Sequence, residues 1–98
     1  MTITKKQNGT ELTISIVGSL DSTTHVELDK VLEDSLKGIT SLIIDFSGVD
    51  YVSSAGLRSI LVAQKTMNAQ GSMVVKNVNS DVMDIFTMTG FVNFLTIE

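Results

Sequence analysis

The sequence contains no cysteine, no proline and no tryptophan, and only one histidine, His25. Without cysteine there can be no disulfide, no zinc–thiolate site and no thiol nucleophile, which fits a reducing compartment. A lone histidine rules out a histidine-rich metal site, and no metal or cofactor of the chain's own is expected. Basic residues are few, seven against eleven acidic ones, for a net charge of −4. They are also scattered, with only Lys5 and Lys6 adjacent, whereas a nucleic-acid surface needs clustered Lys and Arg. No apolar run approaches the roughly 20 residues of a membrane span. The first eight residues, Met1 to Asn8, lack the apolar region of a signal peptide. A cytoplasmic chain with neither nucleic acid nor membrane as partner is therefore expected. At 98 residues, 43% hydrophobic and 18% charged, it reads as one folded domain over residues 1–98.

What is present is a strand-and-helix alternation. Leu12, Ile14 and Ile16 recur at the period of a strand, which Gly18-Ser19-Leu20-Asp21 is expected to break. Thr24 with Glu27 three residues on has the form of a capping box, followed by the stripe Leu28, Val31, Leu32 and Leu36 and a stop at Lys37-Gly38. Ser41 to Phe46 is near-continuously apolar, the pattern of a parallel strand buried on both faces. Leu57, Ile60, Leu61 and Gln64 give a second helix, ended by Asn68 to Gly71. Met73-Val74-Val75 reads as a strand. Ser80 is placed to cap a short helix with Val82, Ile85 and Phe86 inward, stopped at Gly90, and Phe94 to Ile97 as a last strand. After an opening hairpin, this order predicts an α/β fold with a mostly parallel sheet of about four to five strands and interleaved helices.

In such sheets the loops after the strands gather on one edge, where ligands and partners bind. Those loops are Gly18–Thr24, Phe46–Ala55 and Asn77–Ser80, so Ser53 and Ser54 are expected to lie beside Asp21. Taken alone, a serine at a helix start usually caps it. The functional alternative is a phosphoacceptor, because negative charge is tolerated where backbone N–H groups are free.

Asp45 at the end of a buried strand looks like a receiver-domain phosphoacceptor. That family also needs an acidic pair after its first strand and a lysine late in the chain; here the early loop offers Asp21 alone, and the chain is shorter by a strand–helix unit. Gly-x-Ser-x-Gly and Walker patterns are absent, and His25 reads as a surface or loop residue without a partner. Met67, Met73, Met83 and Met88 are read as core filling, and Met88 to Phe91 as a candidate exposed apolar edge. No enzymatic activity is expected.

The chain resembles the STAS domain, specifically the single-domain bacterial anti-sigma-factor antagonists, essentially end to end. The residues that carry the resemblance are Gly18-Ser19-Leu20-Asp21, Asp45-Phe46-Ser47-Gly48-Val49, Ser53-Ser54-Ala55-Gly56-Leu57 and Ile85 to Phe91. It implies the STAS fold and a role in partner switching as a phosphoprotein regulating transcription. In that family the unphosphorylated antagonist binds a GHKL-type serine-kinase anti-sigma factor and frees the sigma factor. The kinase then uses ATP to phosphorylate the antagonist, and a PP2C-type phosphatase resets it. Aligned through Gly56 and Leu57, the phosphorylated residue is Ser54. Many relatives carry aspartate just before it; here Ser53 stands there, which removes one charge and creates a rival acceptor.

The expected partner-binding residues are Asp21, Ser22 and Thr23 with Ser53, Ala55, Gly56, Leu57 and Arg58, on a chain expected to be monomeric. The alternative reading is an adaptor subunit of a transporter or signalling assembly, without a phosphorylation cycle.

Overall fold

Alternating apolar and hydroxyl side chains along the second strand set the sheet: Leu12, Ile14 and Ile16 point to one face and Thr13 and Ser15 to the other. The computed structural model describes all residues, 1–98. The elements are β1 (Thr2–Asn8), β2 (Glu11–Leu20), α1 (His25–Ser35), β3 (Ser41–Val52), α2 (Ser54–Gln70), β4 (Ser72–Lys76), α3 (Ser80–Met88) and a 3₁₀ turn (Phe91–Asn93). The strand order is β1-β2-β3-β4. The first pair is antiparallel and the other two are parallel. The expected mostly parallel sheet is thus present, with four strands.

One face carries the core. Leu12, Ile14, Ile16, Leu42, Ile44, Phe46, Met73 and Val75 join Leu28, Leu32, Ile60, Ala63, Met67, Val82 and Phe86 of the three helices in a single buried cluster. Phe46 and Phe86, ring centroids 6.0 Å apart, lock α3 onto β3. The other face is not closed over. Ile43 and Val74 there are only half-buried, so the expected burial of β3 on both faces is not realised. The hydroxyls of Thr13, Ser15 and Ser41 make that face compatible with water.

The largest departure from the sequence pattern lies in β3. The segment Phe46 to Val52 is not a loop, and Gly18 to Leu20 do not break β2, because the two strands pair as far as Leu20 and Val52. The register shifts twice, each time with one extra residue on β3: Ser15 faces Asp45 but Val17 faces Gly48, and Gly18 faces Val49 but Ser19 faces Tyr51. Buried residues consequently fall at Phe46, Val49 and Val52, a spacing that conceals the strand period. Glycine at 48 eases the close approach to β2, since a Cβ would lie 2.8 Å from Val17 Cγ2 and 3.1 Å from Val17 Cα.

Helix starts differ too. Thr24 forms no capping box: its hydroxyl donates to the Ser19 carbonyl at 2.7 Å and accepts from the Asp21 N–H at 2.9 Å, and its backbone is already helical. For α3 the cap is Asn79, not Ser80. Asn79 Oδ1 accepts from the Val82 N–H, and Nδ2 donates to the Val49 carbonyl, both at 2.8 Å. Asn79→Ala is therefore expected to cost about 1–2 kcal/mol in urea unfolding, against less than about 0.5 kcal/mol for Ser80→Ala. The reverse order would contradict this cap.

The C-terminal segment forms no strand. Gly90 turns the chain at φ 79°, and one bridge, Val75 to Ile97, is the extent of pairing. Met67 and Met73 fill the core as expected, and Met83 packs against it. Met88 is instead 82% exposed; with Val92 and Phe94 it gives this end three exposed apolar side chains.

Candidate functional site

Pairing of Leu20 with Val52 ends both central strands at the same level, so the turn after β2 and the start of α2 are neighbours. The Ser53 N–H donates to the Leu20 carbonyl at 2.9 Å, stitching the start of α2 to the end of β2. Residue 56 lies so close to Leu20 that a side chain there would overlap it. Asp21 and Ser53 thus sit next to one another on the sheet edge, as the topology predicts.

Asp21 is held by its own turn. One carboxylate oxygen accepts the Thr23 and Thr24 N–H groups, each at 2.9 Å, and lies 3.1 Å from the Thr24 hydroxyl oxygen, whose proton goes chiefly to the Ser19 carbonyl. Those bonds favour the charged form, the Thr24 N–H contributing most, and hold the Asp21 carboxyl below its ordinary pKa. Ser22 and Thr23 are exposed beside it. Asp45 is likewise held low, first by the Asn77 amide at 3.0 Å and then by the Ser47 N–H at 2.9 Å. It braces the β3 bulge against the segment after β4, which explains an aspartate at a strand's interior without invoking chemistry.

The two serines have different surroundings. Ser53 is the N-cap of α2, in extended backbone conformation, and its hydroxyl oxygen accepts a long bond from the Gly56 N–H at 3.4 Å. Ser54 is the first helical residue, exposed, with no side-chain hydrogen bond. Ala55 is half-buried and Arg58 exposed. Gly56 and Leu57 are buried, so they shape the edge from behind rather than present side chains.

Next to this edge runs a groove of about 470 Å³ between α1 and α2, which sequence reasoning missed. Its walls include His25, Asp29 and Glu33 on one side and Ala55, Arg58 and Ser59 on the other. His25 has partners after all. Its Nδ1 lies 3.0 Å from Asp29 Oδ2 and 3.4 Å from Ser59 Oγ. The Asp29 contact was legible as an i,i+4 pair; the Ser59 contact depends on how the helices pack. These three are not a hydrolytic triad. Carboxylate and hydroxyl share one ring nitrogen, where the triad needs one on each, and Ser59 is only 3% exposed.

Comparison with known proteins bears on the family. The family model described as the STAS domain matches residues 2–98. BtrV of Bordetella bronchiseptica, which carries the name of an anti-sigma factor antagonist, is 34% identical over 62 residues, 62% of this chain. The match spans 53% of the length of that relative. Among solved structures, Bacillus SpoIIAA in the phosphorylated form superposes with a TM-score of 0.76 at 15% identity, covering 99% of this chain and 91% of that one. A sulfate transporter family protein from Wolinella succinogenes superposes with a TM-score of 0.77 at 16% identity, over 88% and 71%. At these identities the structures speak for the fold alone. The chain belongs to the STAS domain family. No helix in it is long and apolar enough to cross a membrane.

Proposed function

We propose that this STAS chain is an anti-sigma factor antagonist: unmodified, it docks through the edge containing Asp21 and Ser54 on an anti-sigma factor that is a GHKL-type serine kinase. The kinase transfers the γ-phosphoryl group of ATP to Ser54 Oγ. The hydroxyl loses its proton, ADP leaves, and the complex ends; a PP2C-type phosphatase hydrolyses the phosphoserine and restores the first state. The observation that carries this reading is the division between the two serines. Ser53 is engaged as a cap, whereas the Ser54 hydroxyl is exposed and unengaged at a helix start that tolerates negative charge. The name of BtrV, an anti-sigma factor antagonist, supports it.

Ser53 in place of the aspartate common in such antagonists keeps a good N-cap while removing one charge. The cap does not depend on that charge. The expected result with the cognate kinase and ATP is one phosphate, by intact mass, on wild type and on Ser53→Ala, and none on Ser54→Ala. Phosphate on Ser54→Ala would sink the assignment. No transfer to wild type would favour the adaptor role, for which the transporter-family neighbour provides a precedent of fold.

A further inference from the structure

We propose that Arg58 is the internal partner of the phosphoryl group on Ser54, turning from the groove between α1 and α2 to bind it. The inference rests on Ser54 as the acceptor, and it concerns what the modified chain does to itself. Arg58 is the sole arginine of the sequence. It stands four residues after Ser54 on α2, and side chains at that spacing lie on one helix face with Cβ atoms about 5–6 Å apart. Helical side chains lean toward the N-terminus, so a long side chain from 58 covers the surface above Ala55 and Ser54. Anion first and cation four residues later is also the favourable order for such a pair.

Arg58 is free to take this partner. It is exposed, and it makes no side-chain hydrogen bond and no ion pair. Asp29 and Glu33 line the same groove, but Asp29 is engaged with His25 and neither holds Arg58. A doubly charged phosphate is the stronger attraction, and a planar guanidinium can grip two of its oxygens at once. Phosphorylation then changes two places together. It adds charge at Ser54 and removes a cation from the groove rim, where the unmodified chain offers Arg58 to a partner carboxylate.

Phosphoserine installed at position 54 of the full chain during translation tests this without any kinase, so the result is independent of whether Ser54 is the natural acceptor. A lone arginine gives one Nε–Hε signal, which should shift and exchange more slowly in the phosphorylated chain. By ³¹P NMR titration, the second phosphate ionisation should lie about 0.3 unit or more lower in wild type than in Arg58→Gln. Arg58→Lys should recover part of that difference. Equal ionisation in wild type and Arg58→Gln, or an unmoved Nε–Hε signal, would overturn the proposal. Phosphate transfer by the kinase to Ser54→Ala would instead refute the acceptor assignment and leave this measurement standing.

Discussion

Phosphorylated on Ser54, the chain is expected to bind the anti-sigma factor proposed as its partner about a hundredfold more weakly than the unmodified chain, with its own fold intact. The size comes from charge. A phosphoserine adds roughly −1.5 to −2 charges at neutral pH. Where a partner carboxylate sits about 5 Å away in a partly desolvated interface of effective dielectric near 20, one unit pair repels by roughly 3 kcal/mol. Each 1.4 kcal/mol is about tenfold, so one such pair gives about two decades. The edge itself works in the same direction. Asp21 stands beside the serines and is kept ionised by its turn, so the added phosphate joins an existing negative charge. The fold is spared because the modified residue opens α2, where N–H groups lack helical partners. Titration calorimetry with the purified partner should show the hundredfold change, and Ser54→Ala should bind like the unmodified chain in the presence of ATP. A change of less than about threefold would mean the switch acts elsewhere.

The elements legible in the sequence are those whose packing repeats at a regular spacing. Leu12, Ile14 and Ile16 announce β2, and Leu28, Leu32 and Leu36 announce α1, because each series faces one core. The second half of β3 is illegible for a specific reason. Two extra residues at the bulges turn the buried series into Phe46, Val49 and Val52, and Ser47, Gly48 and Asp50 between them look like a loop. Caps are ambiguous where two residues could serve. Asn79 wins over Ser80 because its amide also reaches the Val49 carbonyl, a contact between residues 30 apart. At the site, adjacency of Asp21 and the serines is given by topology alone. The α1–α2 groove and the His25–Ser59 contact are not, since both depend on how two helices cross.

Gly56→Ala is expected to damage both the fold and the switch, because this position is where the two are joined. A Cβ there would lie 2.6 Å from the Leu20 carbonyl oxygen, 2.8 Å from Leu20 Cγ and 3.1 Å from Val52 Cγ1. The nearest of these is backbone, which cannot rotate away as a side chain can. That same carbonyl accepts the Ser53 N–H, so moving α2 outward to relieve the overlap stretches the bond that holds its start to β2. Overpacking of this kind costs about 2–3 kcal/mol. For a chain of this size that lowers Tm by about 10 °C or more. Stability alone would not implicate the site, and Gly71 supplies the comparison. A Cβ at Gly71, beyond the far end of α2, would overlap the Thr40 carbonyl, so Gly71→Ala should destabilise at least as much. Its damage falls at the opposite end of the helix from Ser54. Assayed at a temperature where both variants are folded, Gly71→Ala should accept phosphate at nearly the wild-type rate, and Gly56→Ala at least tenfold more slowly, about 1.4 kcal/mol of misplaced geometry. Equal rates in the two variants would show that the kinase does not read how α2 is seated against β2.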